Sequence, residues 1–242
     1  MSQFNLNKID AIGSTNQALR EQSQAGQLQH GQVLWAMHQT QGKGQRGAVW
    51  SVEANKNLTF SVFLSQEKLS FSSPFSLNCS VALALKSSLD ALDIPDVSIK
   101  WPNDILSGEK KLCGILIENV YRGKSLKGSI VGVGLNVNQE TFDHLPQASS
   151  MRLQTGRTFV IEEVLQLFLK QFSSQLKNKN EGDLFEHYRA ALFSIDQKRN
   201  FRKGETQFRA TVKGVNENGQ LLLQLSDGSI KEYALKEIQW VY

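Results

Sequence analysis

This sequence predicts an α+β fold, a mixed β-sheet with flanking helices followed by a small all-β unit, and three observations carry that reading. Apolar runs of strand length alternate with longer segments of helical period up to about residue 193. Beyond Ser194 the helical period disappears, and short strand-like runs are separated by hairpin-type turns. The composition, 40% hydrophobic and 21% charged over 242 residues, suits a packed core. It excludes a disordered chain, and 18 Gly with 4 Pro exclude a collagen-like or low-complexity one.

Taken in order, Ser14-Thr15-Asn16 is a polar cap before the helix formers Gln17 to Glu21. Val33–Met37 reads as a buried strand, and residues 39–47 as a loop of turn-forming and basic residues. Residues 57–64 alternate polar and apolar, the pattern of a half-buried strand. Pro74 opens a helix over 74–92, with Leu77, Val81, Leu85, Leu89 and Leu92 at helical spacing. Strands follow at 112–120 and 129–137, then amphipathic helices at 160–177 and 183–192. The last segment reads as strands at 207–212, 220–225, 230–233 and 238–241, joined by Asn216–Gly219 and Ser226–Gly228, a small β-barrel rhythm. The domain boundary is accordingly placed between residues 1–193 and 194–242.

No apolar run approaches the ~20 residues of a membrane helix, and Met1 to Asn5 do not begin a signal peptide. Two cysteines, Cys79 and Cys113, do not make a disulfide framework, so a cytoplasmic location is expected. The net charge of +4 is mild, and residues 194–242 carry eight Lys+Arg against six Asp+Glu. Phe201 is the single aromatic among Lys198, Arg199, Arg202 and Lys203, so a nucleic-acid module is the weaker alternative for this segment.

Four constellations can carry chemistry. Residues 39–50 place three glycines, Lys43, Arg46 and Trp50 in one loop, which can cradle an anion and stack on a flat ligand. Its spacing is neither a P-loop nor a dinucleotide fingerprint, and alone it reads equally as a surface loop. Lys100-Trp101-Pro102-Asn103-Asp104 ends a strand with a cation, an aromatic, a carboxamide and a carboxylate. Asp104 there could hold Mg²⁺ or serve as a local backbone acceptor. Lys111 opens an apolar strand and suits a phosphate or carboxylate, while Gly114 admits something bulky and Cys113 reads as a core residue. In Val131-Gly132-Val133-Gly134-Leu135-Asn136, the glycines and Asn136 share one face, and a carboxamide there can meet a base edge.

Together, Ser14-Thr15-Asn16, GKGQRGAVW (42–50), KWPND (100–104), KLCGILIE (111–118) and VGVGLNVN (131–138) resemble the biotin–protein ligases, in this order. The resemblance implies a class II aminoacyl-tRNA synthetase-like catalytic domain and an SH3-like barrel. It implies an enzyme that uses MgATP to make biotinyl-5'-AMP and passes biotin to a lysine of a biotin carboxyl carrier protein. Ser14, Thr15, Gln39, Gly42 and Gly114 would bind biotin, and Lys111 would bridge its carboxylate and the ATP α-phosphate. Lys43 and Arg46 would belong to the loop over the phosphates, with Trp50 packing on adenine and Asn136 bonding it. Asn103 and Asp104 would lie by the phosphates and metal.

Many family members have arginine where Gln45 stands here, and Lys43 replaces another. About 13 residues precede Ser14, which predicts a ligase without the DNA-binding segment of regulatory members. A lipoate–protein ligase or octanoyl transferase of the same superfamily remains the alternative, and whether a homodimer forms is open.

Overall fold

The computed structural model describes residues 4–71, 73–178 and 180–241, and the side chain of Arg46 lies outside the described residues. Its larger part is a seven-stranded sheet, in chain order β1 (Asn5–Ile12), β2 (Gln32–Gln39), β3 (Leu58–Ser65), β4 (Val97–Lys100), β5 (Asp104–Ser107), β6 (Lys110–Arg122) and β7 (Ser125–Leu135). The spatial order is β1-β2-β3-β7-β6-β5-β4. β1 and β2 are parallel, joined by helix α1 (Thr15–Gln24), and the remaining neighbours are antiparallel. A parallel pair requires such a crossover, whereas the β6–β7 hairpin turns at Gly123, which takes the positive φ of 61° that a tight turn demands.

Helix α2 (Pro74–Asp90) starts at Ser73, whose side chain accepts from the Ser76 N–H, with Pro74 at the first helical position. It packs with α4 (Ile161–Lys177) and α5 (Glu181–Ala190) around the main core, where Trp35, Phe60, Val62, Phe168 and Phe172 are buried. Helix α1 covers part of the opposite face through Leu19, against Leu34, Phe63 and Ile130. The alternation at 57–64 has an outcome different from the half-buried strand expected: β3 is buried on both faces. Leu58, Phe60, Val62 and Leu64 enter the main core, while Ser61 turns under α1 and is satisfied there by hydrogen bonds rather than water.

Residues 198–241 form a five-stranded antiparallel sheet of β8 (Lys198–Lys203), β9 (Thr206–Val215), β10 (Leu221–Gln224), β11 (Ile230–Tyr233) and β12 (Gln239–Val241), ordered β11-β10-β9-β8-β12. β1, β5, β8 and the short helix α3 (Met151–Thr155) are additional to the sequence reading. β8 illustrates why: of Lys-Arg-Asn-Phe-Arg-Lys only Phe201 is buried, so its apolar alternation is almost silent.

The 191–193 segment before β8 and the turn after β9 are tied to the large sheet. The Ile99 N–H donates to Ala191 O and the Phe193 N–H to Ile99 O, both at 2.8 Å, extending the β4 edge. Trp101, buried, donates its indole N–H to Gly219 O at 2.8 Å, and Asn78 donates to Pro102 O at 3.0 Å. Among the described residues no helix is long and apolar enough to cross a membrane, and Cys79 and Cys113 are free thiols.

Candidate active site

A cleft of about 350 Å³ opens on the α1 side of the large sheet. Ser14, Thr15 and Asn16 line one end, together with Gln39 from the end of β2. Gly114, Leu116, Gly132 and Gly134 of β6 and β7 lie along it, and Lys43, Gln45 and Trp50 come from the loop. Lys100 to Asp104 and Lys111 line the other end, joined by Ile238, Gln239 and Trp240 of the small sheet. The sequence-predicted Ser14, Thr15, Gln39, Lys43, Trp50, Asn103, Asp104, Lys111 and Gly114 are thus brought together.

The α1 end is neutral and tightly bonded. Ser14 caps the helix and is buried, as are Thr15 and Asn16. Both the N–H and the hydroxyl of Thr15 reach Gln39 Oε1, at 2.7 and 3.0 Å. No hydrogen bond engages Gln39 Nε2 among the described residues, so its carboxamide offers donors to a ligand.

The opposite end is charged. Lys111 Nζ lies 2.6 Å from Asp104 Oδ1, with side-chain exposures of 35% and 18%. Strand pairing positions them, because Asp104 faces Gly114 across β5 and β6, whose lack of a side chain leaves room. Burial pushes the Lys100 ammonium below its ordinary pKa, Asp104 opposes that shift, and Lys111 adds to it. Lys100 Nζ also lies 5.9 Å from the centre of the Trp240 ring. Three lysines against one carboxylate make this end attractive to anions.

Trp50 covers the middle. A Cβ on Gly134 would fall 2.3 Å from its indole, and one on Gly114 3.3 Å, so the glycine pair seats the ring. Lys111 Nζ stands 5.8 Å from the ring centre, and the buried indole N–H has no protein partner among the described residues. The loop carrying Trp50 closes on itself: Lys43 bridges Val49, and the Trp50 N–H donates to Gly42 O at 2.9 Å. Gly42 lies outside the cleft lining, where its missing side chain lets Trp50 O approach, 2.3 Å from where a Cβ would stand. Arg46 contributes backbone to the turn Gln45–Gly47, and its side chain is outside the described residues.

Two further residues sit differently from the sequence reading. Asn136 lies outside the cleft lining, is buried, and donates Nδ2 to Ser149 O at 2.9 Å, tying down the 149–151 segment. Asn103 lines the cleft but spends its Nδ2 on Ile115 O at 2.8 Å, locking the turn onto β6. Asp104, expected as the metal ligand, lines the cleft. Its oxygen is paired with Lys111, and among the described residues no three His, Cys, Asp or Glu gather to hold an ion. Sequence reasoning passed over Trp240, Gln239 and Ile238. Their only local signal was a short strand after Glu237, and contact with the cleft comes from the docking of the two sheets.

The chain belongs to the Biotin/lipoate A/B protein ligase family, whose sequence pattern matches residues 9–136. It is 28% identical over 237 residues to the bifunctional ligase/repressor BirA of Bacillus spizizenii, covering 93% of this chain and 71% of that protein. It is 33% identical over 149 residues to the biotin–[acetyl-CoA-carboxylase] ligase of Mycobacterium tuberculosis, covering 60% of this chain and 54% of that one. Among solved structures, the biotin protein ligase of Aquifex aeolicus in complex with biotin and ATP superposes with a TM-score of 0.82 at 28% identity, covering 98% and 99% of the two chains. The fold is of the class II aminoacyl-tRNA synthetase type.

Proposed function

We propose that the chain is a biotin protein ligase that activates biotin with ATP as biotinyl-5'-AMP and transfers it to a lysine of a biotin carboxyl carrier protein. The observation that carries this reading is the two-ended cleft: hydrogen-bonding groups at Ser14, Thr15 and Gln39, cations at Lys43, Lys100 and Lys111. The first suits a polar head group, and the second a carboxylate meeting a triphosphate.

In the first step a biotin carboxylate oxygen attacks the α-phosphorus, and the bond to pyrophosphate breaks. Two anions must meet, and Lys111, exchanging its partner Asp104 for them, cancels their repulsion and stabilises the charge that develops. Lys43 and Arg46 extend the cationic field over the departing pyrophosphate. In the second step a carrier lysine amine attacks the acyl carbon of the anhydride, an amide forms and AMP leaves. Trp50, seated on Gly114 and Gly134, excludes water from the anhydride between the steps. Magnesium would enter with the nucleotide as MgATP, where Asp104 could contribute an oxygen and the ion would neutralise the departing pyrophosphate.

In this reading residues 1–193 carry the chemistry and 194–242 form a barrel-like sheet that completes the cleft wall, in a cytoplasmic enzyme. Exchange of labelled pyrophosphate into ATP, with biotin, lipoate or octanoate as the acid, tests it. Biotin-dependent exchange is expected. Exchange with lipoate and none with biotin would assign the chain to the lipoate branch.

A further inference from the structure

One face of the small sheet is basic and exposed, and the activation of biotin makes no use of it. Asn200 of β8 pairs with Arg209 of β9 on one side and with Val241 of β12 on the other, so the three share a face. Lys198 and Arg202, two residues to either side of Asn200, belong to the same face, while Phe201 turns inward and is buried. Lys198, Asn200, Arg202 and Arg209 are all exposed. The ion pairs of β8 and β9 are Arg199 with Glu109 and Lys213 with Asp196, which leaves Lys198, Arg202 and Arg209 without a carboxylate partner among the described residues. A dent of about 250 Å³ opens here, lined by Lys198, Arg199, Asn200 and Arg209 and walled by Phe193 and Trp240. Trp240 also lines the catalytic cleft, as does Gln239, the register partner of Arg202. The basic face and the mouth of the cleft are therefore continuous.

That continuity bears on the second step, whose nucleophile is a lysine on another protein. A lysine ammonium approaching the cleft meets Lys43, Lys100 and Lys111 against one carboxylate, Asp104. The field that draws a triphosphate in repels it. Attraction has to come from the residues around the acceptor lysine, where they meet the rim of the cleft. On the small-sheet side that rim offers Lys198, Arg202 and Arg209, which are complementary to carboxylates. Nucleic-acid phosphates would be drawn to the same cations, but Phe201, the aromatic among them, is buried and cannot stack on a base.

We propose that the face formed by Lys198, Arg202 and Arg209 is a docking surface for an acidic face of the acceptor protein, and that it steers the acceptor lysine into the cleft past Trp240. This rests on the biotin-ligase reading and adds the chemistry of the partner's surface, carboxylates flanking the lysine. Exposed charges of this kind act on encounter. They change the KM for the acceptor and its salt dependence, and they leave the activation of biotin untouched.

The test uses the full-length chain, with the biotin carboxyl carrier domain of the same genome as acceptor. Lys198→Glu/Arg209→Glu is compared with Lys170→Glu/Lys231→Glu, an equal change of charge at exposed positions of α4 and β11. In the first pair the KM for the carrier domain is expected to rise about tenfold or more. The rise of that KM with salt in the wild type, between about 0.05 and 0.3 M, should flatten. Biotin-dependent pyrophosphate exchange should stay within about twofold with cooperative melting retained, and the second pair should transfer biotin like the wild type. An unchanged KM for the carrier domain overturns the proposal. An equal loss in both pairs overturns it too, because net charge alone would explain it, and so does a matching fall in exchange and transfer. DNA retardation abolished by Lys198→Glu/Arg209→Glu, with the KM for the carrier domain unchanged, would give the face to nucleic acid. If that variant fails to melt cooperatively, Lys198→Gln/Arg209→Gln decides by the same criteria. Wild-type exchange without transfer to the carrier domain overturns the docking proposal, whereas a wild type without biotin-dependent exchange defeats the functional reading instead.

Discussion

The two ends of the cleft are built on opposite principles. At the α1 end Thr15, Asn16, Ser61 and Gln39 are neutral, and their mutual hydrogen bonds are closed before any ligand arrives. At the lysine end Lys111 is paired with Asp104, Lys100 is held partly desolvated, and the Trp50 indole N–H has no protein partner among the described residues. A group that recognises must be fixed in advance, because its selectivity lies in polarity and position. A group that takes part in charge transfer must be able to exchange partners, so its resting contacts are provisional.

The sharpest break in that contrast is Lys111→Ala. Pyrophosphate exchange should fall on the order of 10²–10³-fold with the melting temperature little changed, as for other preorganised charge stabilisers. Exchange within threefold of wild type would reduce Lys111 to a surface lysine.

Gly132 and Gly134 of β7 offer a matched pair. An alanine at Gly132 meets Asn16, which is locked in its network, whereas one at Gly134 meets Trp50 on its loop, and both Cβ positions fall 2.3 Å from a neighbour. Gly132→Ala should cost stability at the level of overpacked cores, about 1–3 kcal/mol. Gly134→Ala should displace the indole and cost clearly less. Urea unfolding, followed by Trp fluorescence, checks the order, and equal costs would erase the distinction between a rigid and an adaptable end.

Gln45 lines the cleft beside Lys43. Gln45→Arg adds a cation to the exchanging end, and release of biotinyl-AMP in a chase experiment should slow about tenfold, the effect of ~1.4 kcal/mol. Unchanged release would assign retention of the intermediate to Lys43 and Arg46.

The smallest effect concerns the thiols. Burial raises the thiol pKa of both Cys79 and Cys113 well above the ordinary value. The thiolate, present above its pKa, is the species that reacts, so raising the pKa removes it throughout the neutral and mildly alkaline range. Iodoacetamide at about pH 8.5, the ordinary thiol pKa, should leave the native protein unmodified and label both cysteines in denaturant.

Local chemistry was readable in the sequence where it depended on neighbours along the chain. Ser14 as a cap, Pro74 at a helix start and the Asn216–Gly219 turn each act within a few residues, and each stands where the sequence puts it. The cleft end holding Lys111 was legible only through the order and combination of its motifs, since each motif alone also reads as a surface loop or strand end. What the sequence hid is tertiary. Ser61 looks solvent-facing by alternation until α1 folds over it. Asp104 and Lys111 belong to separate motifs until β5 and β6 pair and bring them within 2.6 Å. Gly132 and Gly134 look equivalent until one neighbour proves to be Asn16 and the other Trp50. Trp240 has no motif at all, and its place in the cleft wall is set by contacts between the sheets.

That last contact bears on how the protein can be handled. β12 is the edge of the small sheet that faces the cleft, while β11 is the opposite edge, with three strands between them. A dye, bead linker or fusion partner joined directly behind β12 stands beside Trp240 and competes with whatever approaches Lys111. The same cargo inserted in the exposed β10–β11 turn, at Asp227–Gly228, hangs from the far edge and leaves the approach clear.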